Sequence, residues 1–292
     1  MFRYATSLAA RHGTLWVARW NRTWHVTPHD FDGRELAPGF VVRPEGTARV
    51  TIASIAVDED RRVWIADTGS ERVRAFTAFG RELEGLPRGA SDRAGSLAGP
   101  IAIDSEGVEE EARIVVASIG VRRNALHVVR ADGRASVSLR PRDADVGFSG
   151  LGRVAFGPRG LVLACEPASG LVLVWRDGQF HFAFRAPDSR VPVAVRALGD
   201  GRIVVASADE DGGALDLVDA AGRPIRALAR GGTDPDDLGD PEDLAVLESI
   251  GPDRRTRIVV ADSAGTRLAV WNLEGDSYGA FEPAADRAAR ES

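Results

Sequence analysis

The sequence predicts an all-β protein in which six similar units of four strands form a closed ring. Three patterns each recur six times along the 292 residues: a hydrophobic–Ala–hydrophobic triplet, an apolar run that ends in a small residue, and a glycine at a hairpin turn. Units of roughly 40–50 residues with four strands each are typical of β-propellers. The predicted fold is therefore a six-bladed β-propeller with four antiparallel strands per blade.

The first two patterns predict the two inner strands of each blade, which we call strands a and b. The triplets are centred 39 to 53 positions apart, and the apolar runs that follow them are rich in β-branched residues. Short runs of this kind, without a helical period, are typical of buried strands. The triplets are centred on Ala9, Ala56, Ala102, Ala155, Ala194 and Ala245, and the runs end at Ala18, Ala66, Ala117, Cys165, Ala206 and Ala261.

The glycine pattern predicts the hairpin between the two outer strands, c and d. Asp precedes glycine in three of the six turns, and such pairs tolerate the positive φ that tight hairpins need. After two of the turns, in residues 180–184 and 277–281, the chain alternates as half-exposed strands do. The turn glycines are Gly33, Gly80, Gly133, Gly178, Gly222 and Gly275.

One propeller domain is expected to span residues 1–283, followed by a short flexible tail over residues 284–292. Six complete sets of strands can be counted. We therefore expect the ring to close by packing of the last unit on the first, with residues 2–4 adding hydrogen bonds to the last blade.

Composition narrows the classes of partner and compartment. The formal net charge of −6 argues against a nucleic-acid partner. Cys165 is the one cysteine, so neither an intramolecular disulfide nor a CxxC metal site can form. The apolar stretch near Met1 is too short for a signal peptide, and no run reaches the roughly 18 apolar residues of a membrane span. We expect a cytoplasmic protein that does not associate with membranes.

Two units carry a more specific signature after strand b. Asp67 stands five residues before Arg72, and Asp262 and Arg267 repeat that spacing. These stretches resemble the NHL repeat, in which strand b ends in Asp and Arg opens strand c after a short turn. Positions 70–71 read Ser-Glu where the family has Asn-His. The resemblance implies a propeller of the NHL-repeat family.

The same four residues are interpreted as structural turn clamps, in which the carboxylate accepts backbone and guanidinium hydrogen bonds across the b–c turn. A ligand site is the alternative. Recurrence in two blades favours the clamp, because a scaffold repeats its contacts from unit to unit whereas a ligand site need not.

Strand directions place the d–a connections and the b–c turns on one face of the ring, which we call the upper face. Three connections there, 87–99, 140–152 and 230–243, are long, and long loops are more often functional. Arg residues predominate in units 1 to 3 and acidic residues in units 5 and 6, so we expect a bipolar face; ordinary solvated charge is the alternative. The candidate binding residues are Arg19, Trp20, Arg22, Arg122, Arg123, Arg142, Arg153, Glu242 and Asp243.

Trp20 is the most distinctive of these candidates. It lies in the predicted b–c turn of unit 1 between Arg19 and Arg22, and Trp and Arg are enriched at binding hot spots. Packing of Trp20 over the neighbouring blade is the competing interpretation.

The leading functional hypothesis is a non-catalytic binding scaffold for a protein or peptide, with a small-molecule ligand left open. The first alternative is a metal-assisted hydrolase or lyase, for which at least three carboxylate or His side chains should converge near Arg153, Glu242 and Asp243 at the upper mouth of the central channel. The second alternative is RNA binding by the basic half of the upper face, which the acidic total disfavours.

No catalytic residue, metal ligand or cofactor is assigned from the sequence. It contains neither a phosphate-binding GxxxxGK[ST] loop nor a GxSxG nucleophile elbow. The acidic run 234–243 lacks the ligand spacing of an EF-hand loop, so a solvated loop is favoured over a calcium site. None of the three Asn residues falls in a predicted strand a, so no Asn side chain is expected to act as a metal ligand at the central channel.

Overall fold

The computed structural model describes residues 4–30, 32–44, 46–86, 99–119, 124–133, 136–141, 148–232, 234, 237–248, 256–262 and 266–281. Within these residues the chain forms six antiparallel sheets, and each sheet consists of four strands that are consecutive in sequence. The prediction of an all-β propeller with six four-stranded blades is confirmed.

The strands are numbered in chain order, so that each blade takes four of them as a, b, c and d. Blade 1 contains β1 (Tyr4–Arg11), β2 (Thr14–Asn21), β3 (Thr23–His29) and β4 (Phe40–Val42). Blade 2 contains β5 (Ile52–Val57), β6 (Val63–Asp67), β7 (Arg72–Phe76) and β8 (Glu82–Leu83). Blade 3 contains β9 (Pro100–Glu106), β10 (Arg113–Ser118), β11 (Ala125–Arg130) and β12 (Ser136–Leu139).

Blade 4 contains β13 (Val154–Gly157), β14 (Leu161–Glu166), β15 (Leu171–Arg176) and β16 (Gln179–Arg185). Blade 5 contains β17 (Val191–Ala197), β18 (Ile203–Asp209), β19 (Gly212–Val218) and β20 (Pro224–Arg230). Blade 6 contains β21 (Asp243–Leu247), β22 (Arg257–Asp262), β23 (Arg267–Trp271) and β24 (Ser277–Phe281). Every predicted triplet and apolar run falls inside its a or b strand.

The hydrophobic core lies between the blades rather than inside any one of them. Six clusters of buried side chains are present in the described residues, and each cluster combines residues of two neighbouring blades. Strands a and b supply most of these residues because both of their faces are covered, which is why they appear as continuous apolar runs in the sequence.

The ring closes where blade 6 packs on blade 1. Leu8, Leu15 and Val17 of blade 1 share one cluster with Val259 and Leu268 of blade 6. Within the described residues no strand is exchanged between these two sheets, since each is built from its own four consecutive strands. Closure by packing therefore agrees with expectation; of the residues predicted to add hydrogen bonds to the last blade, Tyr4 pairs with Trp20 in its own sheet. Phe2 and Arg3 lie outside the described residues.

The c–d turns contribute to packing between blades as well as reversing the chain. All six predicted turn glycines have positive φ, from 69° at Gly133 to 89° at Gly275. At three of them, a phenylalanine of the preceding blade occupies the place that a Cβ atom would take. These pairs are Phe40 on Gly80, Phe184 on Gly222 and, across the closure, Phe281 on Gly33.

Candidate functional site

The upper mouth of the central channel is crossed by Arg153, which immediately precedes β13 in blade 4. Its Nη1 and Nη2 atoms donate to the carbonyl oxygens of Ala53 and Thr6, and its Nε donates to the carbonyl oxygen of Glu242 at 3.3 Å. These acceptors belong to blades 2, 1 and 6. One guanidinium group therefore connects blade 4 to three other blades.

Asp243, the first residue of β21, holds the negative charge at this mouth and is fully buried. Its Oδ2 accepts hydrogen bonds from the Ser7 hydroxyl at 2.7 Å and from the Leu8 amide at 3.0 Å. The guanidinium groups of Arg153 and Arg196 approach it at 3.5 and 3.7 Å. Buried charges require such partners, so Asp243 is arranged as part of the scaffold.

The Asp243–Leu8 bond is the first of a series that runs around the inner strands. A side chain of one strand a accepts the backbone amide of the next strand a: Ser7 accepts from Ile55 at 3.0 Å, and Ser54 accepts from Ile103 at 3.3 Å. Asp104 in turn accepts from Phe156 at 2.8 Å. Four successive blade interfaces, from 6–1 to 3–4, are linked in this way.

The metal-dependent alternative required several carboxylate or His side chains to converge at this mouth. In the part of the chain that the structure describes, no group of three His, Cys, Asp or Glu side chains is arranged to hold a metal ion. Burial raises the pKa of the Glu242 carboxyl, while the backbone carbonyl of the same residue receives Arg153. The cationic group that contacts the backbone carbonyl oxygens at this mouth is the guanidinium of Arg153.

A cavity with mainly apolar walls opens on the upper face of blade 1, away from the channel mouth, and has a volume of about 660 Å³. Trp20, at the end of β2, is 38% exposed and forms one wall. Trp24 lies beneath it, fixed by a 2.9 Å hydrogen bond from its Nε1 to the carbonyl of Val50, with the two ring centroids 5.5 Å apart. Val42 and Pro44 continue the apolar wall.

Two arginines flank this Trp20 cavity. Arg22, in the b–c turn with φ of 61°, and Arg49, in the connection to blade 2, both line the cavity and are exposed. The arrangement offers a concave apolar surface with positive charge at its edge, which suits an apolar side chain that is flanked by acidic groups.

The nine predicted binding residues do not form one surface. Trp20 and Arg22 share the cavity, whereas Arg153, Glu242 and Asp243 meet at the channel mouth. Arg19 is only 8% exposed, because it points to the opposite face of β2 from Trp20, and so it cannot contribute to a surface site. Three further candidates, Arg122, Arg123 and Arg142, lie outside the described residues, as does most of the long connection 87–99.

The Asp67 carboxylate is buried at the b–c turn of blade 2 and joins that turn to the incoming chain. Its Oδ1 accepts from the Thr51 amide at 2.9 Å, and its Oδ2 accepts from the Ser70 hydroxyl at 2.7 Å. The guanidinium of Arg74 lies 3.4 Å from this carboxylate, and Arg72, the predicted partner, stands opposite Asp67 in the pairing of β6 with β7. Arg72 and Arg74 lie on the same face of β7, and Arg74 is the more deeply buried of the two.

The corresponding carboxylate of blade 6 has the predicted partner. Arg267 Nε donates to Asp262 Oδ2 at 2.8 Å, and the amide of Gly239 donates to the same oxygen at 3.2 Å. Blade 4 contains a similar arrangement that the sequence analysis missed, in which Glu166 accepts from the Ser149 amide at 2.9 Å and from the Ser169 hydroxyl at 2.6 Å. The available signal was an acidic residue directly after the apolar run.

Cys165 lies in β14 and is completely buried. Burial raises the pKa of its thiol to about 12, and the thiolate is the reactive form of cysteine. We expect no reaction with a thiol-specific reagent in the native protein and one equivalent of reaction in denaturant. A variant with an additional exposed thiol, Thr47→Cys, should react once when native and twice when unfolded; native labelling of Cys165 at the rate of that exposed thiol would contradict the expectation.

Comparison with known proteins places the fold but not the function. No protein-family model and no curated protein sequence matches the chain. Virginiamycin B lyase from Staphylococcus aureus is similar in structure, with a TM-score of 0.61 at 13% identity over 96% of this chain and 84% of that chain. A gluconolactonase from Xanthomonas campestris has a TM-score of 0.59 at 16% identity, with coverages of 92% and 85%.

A nidogen–laminin complex contains a third similar chain, with a TM-score of 0.62 at 16% identity over 97% of this chain and 94% of that chain. At these identities the likeness shows the propeller fold alone. The helices of the described residues are three single 3-10 turns, Glu109–Glu111, Pro167–Ser169 and Pro187–Ser189, and none of them could span a membrane.

Proposed function

We propose that this protein is a non-catalytic binding scaffold that holds an acidic peptide segment of a partner protein in the Trp20 cavity. The observation that carries the proposal is the exposure of Trp20. The other five Trp residues are all buried, whereas Trp20 is held open to solvent over a concave apolar surface. An exposed Trp at the wall of a cavity is a typical anchor point for binding.

The charge around the cavity selects the class of partner. Arg22 and Arg49 stand at its edge, so an acidic segment is attracted and a basic one is repelled. The cavity is lined by more apolar than polar surface, so an aromatic or branched aliphatic side chain of the segment is expected to enter it. The similar chains include an enzyme named as a lyase and a chain from a protein–protein complex. The fold therefore does not choose between these functions, and the cavity supports binding.

The test is a selection of peptides from a random displayed library against the intact protein. We expect enrichment of acidic sequences that contain an aromatic or branched aliphatic residue. Trp20→Ala should lower the affinity for the selected peptides by roughly 30-fold, as expected for loss of a hot-spot residue. Arg22→Gln should lower the affinity by a smaller factor, and this factor should shrink as salt is added. The affinity is measured by fluorescence anisotropy of labelled peptide.

Matched controls separate the cavity from general stickiness. Phe79→Ala removes an aromatic side chain that is 89% exposed on the opposite face, and Arg223→Gln removes an exposed arginine there; neither should change the affinity. The peptide should also shield Trp20 from acrylamide quenching. Selection of basic peptides, or equal binding to wild type and Trp20→Ala, would refute the proposal.

A further inference from the structure

The lower end of the central channel contains a cavity of about 360 Å³ that differs in character from the Trp20 cavity. It is lined by five of the six blades, mainly by the ends of strands a and by the a–b turns. The space exists because small residues, including Ala10, Gly13 and Ala197, occupy these positions. A volume above roughly 300 Å³ is sufficient for a small-molecule ligand.

A guanidinium group lies at the inner end of this lower cavity. The Arg196 side chain extends inward from β17, where its Nη1 donates to the carbonyl oxygens of Val154 at 3.2 Å and Val195 at 2.9 Å. Its Nη2 lies 3.7 Å from Asp243, which is beyond hydrogen-bond distance. Because Asp243 also neutralises Arg153, these three groups carry one excess positive charge; Asp104, a carboxylate that also lines the cavity, accepts the amides of Ser105 and Phe156. An anionic group at this end would therefore be favourably placed.

The outer edge of the cavity carries the opposite charge. Glu59 and Glu248 lie in the a–b turns of blades 2 and 6 and line the opening. Glu59 is paired with Arg11 at 2.9 Å through one oxygen and lies 3.4 Å from His12 through the other, whereas Glu248 accepts only the Gly199 amide, at 2.9 Å, among the described residues. The Glu248 carboxylate therefore retains an oxygen at the opening that can accept hydrogen bonds from an ammonium group, with Glu59 beside it.

We infer that the lower cavity binds a small zwitterion of the size of a free amino acid, with its carboxylate toward Arg196 and its ammonium toward Glu59 and Glu248. A guanidinium and a carboxylate at opposite ends of one cavity match the two charges of such a molecule. A ligand with only one of the two charges would leave the other end of the cavity without a partner.

The test is calorimetric titration of the intact protein with the free L-amino acids. Each amino acid is compared with the amine that lacks its carboxylate and the acid that lacks its ammonium; for alanine these are ethylamine and propionate. At least one amino acid should bind, and each of its two fragments should bind at least about tenfold more weakly.

Two variants connect the binding to the proposed residues. Arg196→Lys should lower the affinity for the amino acid by about tenfold and Glu248→Gln by at least about threefold. The control Asp200→Asn, in a neighbouring a–b turn outside the cavity, should leave the affinity unchanged. Glu248 is exposed, so that variant decides the matter if Arg196→Lys does not fold. The inference fails if no amino acid binds at about 10 mM, if a fragment binds as well as its parent, or if Glu248→Gln binds like wild type.

Discussion

Replacement of Asp243 by alanine is expected to lower the free energy of unfolding by about 3–5 kcal/mol, because removing one partner of a buried ion pair leaves the other charge uncompensated. Two guanidinium groups, of Arg153 and Arg196, would lose their common carboxylate. The Ser7 hydroxyl and the Leu8 amide would also lose their acceptor. The loss is measured by urea denaturation followed by circular dichroism.

Asp32→Ala is the matched control for this experiment. Asp32 also pairs with an arginine, Arg257 at 3.1 Å, but its side chain is 67% exposed. Pairs of this kind contribute about 0–1 kcal/mol, so the control should unfold almost like wild type. If Asp243→Ala were no less stable than Asp32→Ala, the assigned role of Asp243 in holding the channel mouth together would be wrong.

Gly33→Ala is expected to destabilise the ring at its closure by about 2–5 kcal/mol, through backbone strain and overpacking together. Gly33 has a φ of 78°, and an added Cβ would lie 2.3 Å from Cδ2 of Phe281. Gly201→Ala isolates the strain, because Gly201 has a φ of 92° with no atom within 4 Å of the added Cβ. That control should lose about 1–2 kcal/mol.

A double variant shows whether the difference comes from the contact between blades 1 and 6. Adding Phe281→Ala to Gly33→Ala removes the clash, so the double variant should lose less stability than the sum of the two single variants. Strictly additive losses would mean that Phe281 and Gly33 are not in contact.

The architecture could be predicted because its signals are local. In each blade the a and b strands are two consecutive apolar runs, and the c–d turn has a glycine with positive φ. Each blade can therefore be recognised from a short stretch of sequence. The candidate Trp20 site was predictable for the same reason, since a tight b–c turn, here the single residue Arg22, exposes its flanking side chains. Arg19 was mispredicted because proximity to that turn was given more weight than strand alternation, which buries it.

The interactions at the channel were not predictable from the same windows. Arg153, Arg196 and Asp243 come from three blades and meet only when the ring is closed. The lower cavity has no motif of its own, because small residues such as Ala10 and Ala197 read in the sequence as ordinary strand residues. Similarly, the approach of Arg74 to Asp67 depends on side-chain burial, which residue spacing does not reveal.

Closure without strand exchange has a consequence for the order in which the protein is assembled during synthesis. Each sheet can form as soon as its own four strands have left the ribosome, but the Ser7–Asp243 bond joins residues 236 positions apart. The side of blade 1 that carries Leu8, Leu15 and Val17 must therefore stay uncovered until blade 6 has been made. A nascent chain halted before blade 6 would present this apolar side to chaperones or to other chains, and completion of the last blade would remove it.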